Sequence, residues 1–429
     1  MLPHPDSIRI ISVIAFGLLF VIGLKRTVFL AVAYLILILC KLAHYYPIFV
    51  AIHAELVFAL VILLRLAMDG DLTTTLSLSQ NTVHRYLILF VGCVFLSFFL
   101  VAWEPQYAWD HTVYLFIKVL ILYLMVLLSI KDDTDLKIFI WSLIGIYTFL
   151  AYEPIYFFLM GFGGSQQVYG TNYIADVGVL AGHVGAANNM NQMIPMVFYL
   201  IVGAQEKKYK IIAGIPLLMF ILCLIGTGSR GGVLGFLVFV ACVTYFSKNR
   251  IKIGAVAVCL VALLFFTTSL SETAERINPD AAGRRLTGLT HGIGMLRRGH
   301  ILGVGPGNYR FARGEYFNYT MEAHNMYGQV IGDLGIPGAI AFFFFIRQIF
   351  LNLSESKKKL KSLATQDNFL FYLAMGLQVS LIVRLFVCMA SHSLYFFYWY
   401  IMAPLSFLLL LQVNKKAEES SQLMDYQES

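Results

Sequence analysis

The stretch HTVYLFIKVLILYLMVLLS, residues 111–129, contains one lysine and no carboxylate. An apolar run of about 20 residues is long enough to cross a bilayer core of about 30 Å as a helix. Similar runs recur along the chain and give thirteen candidate segments, the first two of them short: 8–24, 27–42, 45–68, 84–102, 111–129, 136–160, 186–204, 211–226, 231–246, 253–270, 324–351, 369–389 and 394–412. The sequence therefore predicts a polytopic membrane protein.

The composition agrees with this prediction. Apolar residues make up 59% of the 429 residues and charged residues 13%, whereas a soluble domain has about 25% charged residues. Unpaired backbone cannot face lipid, and no alternating ten-residue pattern indicates a barrel, so each run is predicted to be a helix. We expect an all-α bundle of about 12 transmembrane helices, with one early segment short, tilted or re-entrant. The six cysteines lie in apolar runs without a CxxC pair, which predicts packing roles.

Lysine clusters predict which loops are cytoplasmic, because positive charge is retained on that side. The clusters lie at 207–210, 248–252, 357–361 and 415–416. By alternation, the polar stretch 272–323 faces the opposite side, although it carries seven arginines and no lysine. The predicted organisation is an N-terminal transmembrane bundle, an arginine-rich extracytoplasmic loop subdomain, C-terminal transmembrane helices and a disordered cytoplasmic tail, at residues 1–271, 272–323, 324–413 and 414–429. The net charge of +7 follows this lysine bias, so we expect contact with membrane lipids and no nucleic-acid partner.

The arginines predict an oxyanion-binding surface. A guanidinium binds phosphate or carboxylate through two parallel hydrogen bonds, whereas lysine acts as a mobile point charge. The first candidates are Arg230, in the glycine-flanked turn 226–232, and the pair Arg284 and Arg285. The alternatives are that Arg230 reaches lipid headgroups and that the loop arginines are solvated near the acidic residues of the loop.

His324 and Asn325 lie where the arginine-rich loop re-enters the membrane. A neutral histidine beside arginines can accept a proton from a hydroxyl, because neighbouring positive charge keeps its pKa low. The alternative is a structural histidine at a helix start. No metal-ligand spacing such as HExxH occurs, so we expect a metal-independent reaction without a cofactor.

Asparagines supply the remaining polar candidates. Asn189 and Asn191 lie at a predicted helix entrance, where their amides suit either sugar hydroxyls or helix capping. Asn308 ends the run Gly-Val-Gly-Pro-Gly-Asn at 303–308, which lacks the GK[ST] of a nucleotide loop. That run is predicted to be a turn that brings the loop back to the membrane.

The chain resembles the O-antigen ligase and polymerase superfamily in four features and in their order. These are the asparagine-rich entrance, the Ser-Arg-Gly turn, the Arg-Leu and glycine-rich loop, and the His-Asn re-entry. The resemblance covers about residues 188–338. It implies a glycosyltransferase of the GT-C type in the bacterial inner membrane, with its active site facing the periplasm. Such an enzyme moves a glycan from undecaprenyl diphosphate to an acceptor hydroxyl, here a lipid A-core sugar, with inversion and without metal. Carried over by position, Arg230 and Arg285 hold the diphosphate, with the neighbouring Arg284 as the alternative, and His324 is the base. The substrate-binding candidates are Asn325, Asn308, Asn191 and Asn189.

Several alternatives remain open within and outside this superfamily. An O-antigen or exopolysaccharide polymerase would be expected to carry a second arginine-bearing loop, and residues 161–185 contain neither arginine nor lysine. A protein O-oligosaccharyltransferase is the other enzyme alternative, although such members are longer. A transporter or flippase of an anionic lipid-linked sugar would need ionisable residues along a path through the membrane. The candidates for such a path are Glu55, Lys118, Glu153 and Arg384.

Overall fold

The computed structural model describes residues 5–51, 53–68, 82–162, 182–227, 229–246, 279–363 and 368–428. Every regular element in these ranges is helical, as predicted. The first seven helices are α1 (Pro5–Gly23), α2 (Val28–Leu39), α3 (Ala54–Met68), α4 (Thr82–Val101), α5 (Pro105–Ser129), α6 (Asp133–Phe157) and α7 (Gly182–Gly203). The next seven are α8 (Lys207–Gly226), α9 (Arg230–Phe246), α10 (Pro279–Arg297), α11 (Tyr309–Phe317), α12 (Met326–Ser362), α13 (Asn368–Val387) and α14 (Phe397–Glu428). Two short helices, Leu42–Tyr45 and Pro47–Ala51, follow α2.

Seven helices within the described ranges are long and apolar enough to cross a membrane, and they correspond to α4, α5, α6, α8, α12, α13 and the part of α14 up to Gln422. Three shorter apolar helices are Arg9–Gly23, Val28–Leu39 and Gly231–Phe246. The multi-pass membrane class predicted from composition is therefore confirmed. The predicted run 253–270 lies outside the described residues, and the total of about 12 crossings remains a prediction.

Charged side chains join several helices at one end of the bundle, which we call the lysine end. Asp132 caps α6 by accepting a hydrogen bond from the Asp135 amide at 2.7 Å. Arg26, beside the start of α2, pairs with Asp135 at 2.6 Å. Near the C-terminus, Lys416 pairs with Asp133 at 2.6 Å. The end of α12 also lies at the lysine end, because Lys359 Nζ donates a hydrogen bond to Asn414 Oδ1 on α14 at 2.7 Å.

The last helix is longer than its apolar run. The sequence predicts a membrane segment at 394–412 followed by a disordered tail, but α14 continues as helix to Glu428. Residues such as Lys415, Lys416 and Glu418 have good intrinsic helix propensity. The helix that leaves the membrane therefore continues into residues whose polarity alone had predicted disorder.

Ionisable side chains inside the bundle are mostly paired. Lys118 on α5 forms an ion pair with Glu55 on α3. Arg9 on α1 pairs with Glu153 on α6 at 3.0 Å. Three of the four residues considered for a transport path are therefore held in ion pairs between helices. The fourth, Arg384, forms no ion pair with any residue in the described ranges.

The segment between α10 and α12 has a small core of its own. Met295, Val304, Tyr309, Ala312 and Ala323 are buried together, with Trp103 from the α4–α5 turn packed against them. The polar segment predicted as a loop thus contains α10 and α11 folded onto the end of the membrane bundle.

The glycine-rich turn packs against a break in α12. At Gly335 the helix is interrupted (φ 65°, ψ −158°), which a glycine adopts without strain. A Cβ at Gly335 would lie 1.8 Å from the Ile301 carbonyl oxygen, and one at Gly303 would lie 2.2 Å from the Asp333 carbonyl oxygen. Only glycine therefore lets the two chain segments approach so closely.

Candidate active site

His324 lies immediately before α12, with an exposed side chain and a left-handed backbone (φ 45°). The next residue caps the helix, since Asn325 Oδ1 accepts a hydrogen bond from the Gly328 amide at 3.1 Å. Asn325 Nδ2 donates to the Met389 carbonyl, just after α13, at 3.1 Å. The Asn325 amide, a candidate substrate contact from the sequence, thus fixes the junction of α12 and α13. His324 presents its imidazole to solvent from this fixed junction.

Glycines let α10 pack directly against the chain that carries His324. A Cβ at Gly288 would lie 2.0 Å from the Ala323 carbonyl oxygen, and one at Gly292 would lie 2.5 Å from a carbonyl oxygen in the first turn of α12. Arg285 precedes Gly288 by three residues, which is less than one helical turn. The backbone of Arg285 is therefore close to that of His324.

The start of α9 lies at the same end of the bundle. Arg230 is the first residue of this helix. Within its first turn, the Gly232 carbonyl accepts a hydrogen bond from Asn191 Nδ2 of α7 at 2.8 Å. A Cβ at Gly235 would lie 2.6 Å from both Asn191 Nδ2 and Val387 Cγ2, at the end of α13. The first turns of α9 therefore pack between α7 and the end of α13, next to the residues that support His324.

The arginines assigned from the resemblance are described only through their backbone. The side chains of Arg230, Arg284 and Arg285 lie outside the described residues. Their helices converge on the end of the bundle that carries His324, and their proposed contact with a diphosphate remains a prediction.

The asparagines near the start of α7 are buried between α7 and its neighbouring helices. Tyr147 on α6 donates to Asn189 Oδ1 at 3.3 Å, and Asn189 Nδ2 donates to the Gly185 carbonyl at 2.8 Å. Asn191 links α7 to α9 through its bond to Gly232. Since α7 begins at Gly182, both asparagines lie beyond the N-cap position that was the alternative interpretation.

Asn308 belongs to a structural turn around a buried carboxylate. Its Oδ1 accepts a hydrogen bond from the Glu104 amide at 3.3 Å. The amides of Gly307 and Tyr309 donate to the two carboxylate oxygens of Asp333 at 3.1 and 3.0 Å. The predicted turn is therefore present, and Asp333, which the sequence analysis did not single out, organises it. The available signal was that Asp333 is the single acid in the predicted membrane run 324–351.

Arg313 is a structural member of the arginine set, with a side chain only 1% exposed. It donates to His291 Nδ1 at 2.9 Å, to Thr287 Oγ1 at 3.1 Å and to the Glu322 carbonyl at 2.9 Å. Burial and then the charge of Arg313 lower the pKa of His291, which keeps its Nδ1 an acceptor. Arg313 therefore fastens the chain before His324 to α10.

Two other arginines also contact protein groups. Arg310 Nη1 donates to the Tyr107 hydroxyl at 3.3 Å. Arg298 Nη1 donates to the Gly294 carbonyl at 3.2 Å, and its guanidinium lies 4.7 Å from the Phe317 ring centroid. Both arginines therefore contact groups of the protein itself.

His392, in the turn between α13 and α14, was missed by the sequence analysis. Its ring centroid lies 5.1 Å from that of His324. Burial and then the nearby His324 lower its pKa from 6.5 to about 4, so it is neutral at physiological pH. Its Nδ1 has no hydrogen-bond partner among the described residues. The sequence signal was a second histidine in a short turn on the same predicted side of the membrane.

Metal ligands are not clustered in the described ranges, where no group of three or more histidine, cysteine or acidic side chains is placed to hold a metal ion.

These features define the class of protein: a multi-pass helical membrane protein with a polar, arginine-bearing segment folded over one end. Within that class, residues 215–343 match the model of a protein family described as O-Antigen ligase. The match confirms the predicted resemblance to the O-antigen ligase superfamily over this part of the chain. It includes Arg230, Arg284, Arg285, Asn308, His324 and Asn325, and it ends before Arg384 and His392. No curated protein matches the chain.

Proposed function

We propose that the protein is a membrane glycosyltransferase that transfers an O-antigen-type glycan from undecaprenyl diphosphate to an acceptor hydroxyl of a lipid A-core sugar. The observation that carries this proposal is the exposed imidazole of His324, held between α12 and α13 and packed beside the helix that bears Arg284 and Arg285. The family match supports a function of the O-antigen ligase and polymerase kind. We assign the proposed reaction to the periplasmic side, opposite the lysine end.

In the proposed mechanism, His324 is the general base. Its neutral imidazole accepts the proton of the acceptor hydroxyl as the oxygen attacks the anomeric carbon of the donor sugar. The bond from that carbon to the diphosphate oxygen breaks, and undecaprenyl diphosphate leaves with the electron pair. Attack opposite the leaving group inverts the anomeric configuration. The Asn325 cap supports this step because it fixes the backbone from which the imidazole projects.

The arginines are assigned to the leaving group. Negative charge grows on the diphosphate as the glycosidic bond breaks, and guanidinium groups placed beforehand stabilise that charge. Arg230 and Arg285 are the proposed ligands, with Arg284 beside them. The convergence of α9 and α10 on His324 supports this assignment through the backbone positions of these residues.

The polymerase and the protein O-oligosaccharyltransferase use the same donor and differ in the acceptor. An acceptor panel of lipid A-core, glycan repeat units and peptide therefore distinguishes them. The transporter alternative has weaker support, because Glu55, Lys118 and Glu153 are ion-paired. Movement of the donor across a bilayer without a covalent product would favour that alternative.

The base assignment is tested with His324→Ala in purified protein mixed with lipid-diphosphate glycan and acceptor in detergent. We expect glycan transfer to fall by at least about 100-fold, the contribution of a positioned general base. The matched control is His111→Ala, which removes an exposed histidine that hydrogen-bonds only to a local carbonyl and should leave transfer unchanged. Full activity of His324→Ala would reject the assignment.

The arginine assignment is tested with Arg230→Lys and Arg285→Lys. Lysine retains the charge but not the two parallel donors, so each variant should lose nearly as much transfer as the alanine variant. Donor affinity and turnover of the four variants are compared with those of Arg297→Lys, an exposed arginine at the end of α10. Wild-type donor affinity in both lysine variants would rule out bidentate binding.

A further inference from the structure

Arg384 is a buried cation near the end of α13 that lies closest to His324. Its residue is 4% exposed, three residues before the helix ends at Val387. The guanidinium carbon lies 5.4 Å from the ring centroid of Tyr398 and 5.8 Å from that of Trp399. It forms no hydrogen bond or ion pair with any described residue, and its Nε is buried without a partner. A buried charge in this state is destabilising unless a counter-charge is present.

The register of two antiparallel helices places polar side chains level with Arg384. A Cβ at Gly376 would lie 2.8 Å from Met196 Cα, and one turn further on α13 the Ser380 hydroxyl donates to the Gln192 carbonyl. One more turn along each helix brings Arg384 opposite Asn188. Arg384 therefore faces the asparagine-rich part of α7.

Other hydrogen-bonding groups around Arg384 are also unsatisfied within the described part of the chain. The Gln192 Nε2 and the Tyr398 hydroxyl are buried without partners, as is Asn188 Oδ1. Gln192 and Tyr398 line a common cavity of about 30 Å³ that also borders Tyr147. Arg384 interacts electrostatically with the Tyr147 and Tyr398 hydroxyls. Donors on Arg384, Gln192 and Tyr398 and the acceptor Asn188 Oδ1 are thus unsatisfied in one region, which indicates a missing polar ligand. Because Arg384 is charged and forms no ion pair within the described residues, we expect that ligand to be an anion.

We propose that Arg384, with Gln192 and Tyr398, forms a buried binding site for a phosphate group carried by a lipid. A guanidinium fork beside two neutral donors matches the several oxygens of a phosphate. The cavity has room for about one water molecule, so phosphate entry requires the surrounding side chains to move apart. This assignment rests on the proposed function, in which the lipid phosphate belongs to the undecaprenyl diphosphate donor. Arg384 would then bind the donor from within the bundle, next to the end that carries His324.

The test uses the full-length protein in detergent, with Arg384→Met as the main variant and Arg347→Met, an exposed arginine on α12, as the matched control. Melting temperature and binding are measured without ligand and with undecaprenyl diphosphate, phosphatidylglycerol or inorganic diphosphate. Without ligand, Arg384→Met should melt at the wild-type temperature or higher, because an uncompensated buried charge is removed. Its affinity for undecaprenyl diphosphate should fall roughly ten- to hundredfold, as for the loss of charged hydrogen bonds. Arg347→Met should match wild type in both measurements.

Arg384→Lys serves as a second variant, with the charge retained and the fork removed. It should fold and bind the diphosphate lipid more weakly than wild type. If Arg384→Met melted at a lower temperature but bound undecaprenyl diphosphate with unchanged affinity, Arg384 would have a structural role and the proposed site would be overturned. Failure of both variants to fold would overturn it as well. A response to phosphatidylglycerol alone would overturn the donor assignment, whereas a response to inorganic diphosphate as well would support phosphate recognition.

The two proposals fail separately. His324→Ala should still bind undecaprenyl diphosphate with wild-type affinity, since His324 acts on the acceptor. Arg384-dependent binding by a protein that transfers no glycan to any acceptor would reject the proposed function and support the phosphate site. Active transfer by wild type, together with unchanged donor affinity in Arg384→Met, would reject the site and leave the function standing.

Discussion

Arginine side chains near the His324 end have different consequences according to their partners. Arg313 is buried, but its guanidinium donates to His291, to Thr287 and to the Glu322 carbonyl, so its charge is compensated within the fold. Arg384 is also buried and has no such partners among the described residues. The first arrangement stabilises a loop, and the second leaves binding capacity for a ligand. Residue type alone does not distinguish them.

His392 predicts a pH dependence of stability. Its folded pKa, lowered to about 4 by burial and by His324, lies below the unfolded value of 6.5. The unfolded state therefore binds more protons between these values, and stability should be lost as pH falls from about 6.5 towards about 4. Melting temperatures of wild type and His392→Gln across this range should show a steeper decline in wild type. The exposed His111→Gln serves as the control, and an identical slope in wild type and His392→Gln would contradict the prediction.

The contact between α10 and the start of α12 is the helical element on which the candidate site depends. It is made by backbone atoms, because Gly288 leaves no room for a side chain against the Ala323 carbonyl. Such contacts fix the distance between two helices more strictly than flexible side chains do. The position of Arg285 relative to His324 is therefore set by a glycine that has no chemical role in the reaction.

Gly288→Ala should consequently impair transfer. The new methyl group would lie 2.0 Å from the Ala323 carbonyl oxygen, so α10 must shift away from His324. We expect turnover to fall about tenfold or more, since small displacements of catalytic groups have such effects. Gly145→Ala on α6 is the matched control, because its Cβ would meet nothing within 4 Å. Equal activity of the two variants would show that the helix contact does not position the site.

At the scale of the whole molecule, charge is divided between the two ends of the bundle. Arg26, two lysines and their acidic or amide partners join α2, α6, α12 and α14 at the lysine end. Within the described residues of the arginine-rich segment, arginines and histidines occupy the opposite end and no lysine occurs there. The positive-inside tendency then predicts an orientation with the lysine end in the cytoplasm.

The orientation is tested with single cysteines placed in a cysteine-free background. Glu315 is an exposed residue of α11, and Lys208 is an exposed residue at the start of α8, so Glu315→Cys and Lys208→Cys are accessible from the two ends. In intact spheroplasts, a membrane-impermeant maleimide should label the first and spare the second, and lysis should make both reactive. The reverse pattern would place His324 on the cytoplasmic side and reject a periplasmic reaction.

The sequence by itself determined the helical membrane class, most helix positions, the glycine-rich turn and the family resemblance. Apolar run length and backbone hydrogen bonding leave few other solutions in lipid, and turns depend on local glycines. The sequence did not determine the helicity of 414–428 or the roles of Asp333, His392 and Arg384. Those roles depend on which distant residues meet. Asp333 accepts hydrogen bonds from amides of the glycine-rich turn, and the His392 ring lies beside that of His324. Arg384 is buried without an ion pair to any residue in the described ranges. Only tertiary packing creates such contacts, because they join residues far apart in the chain.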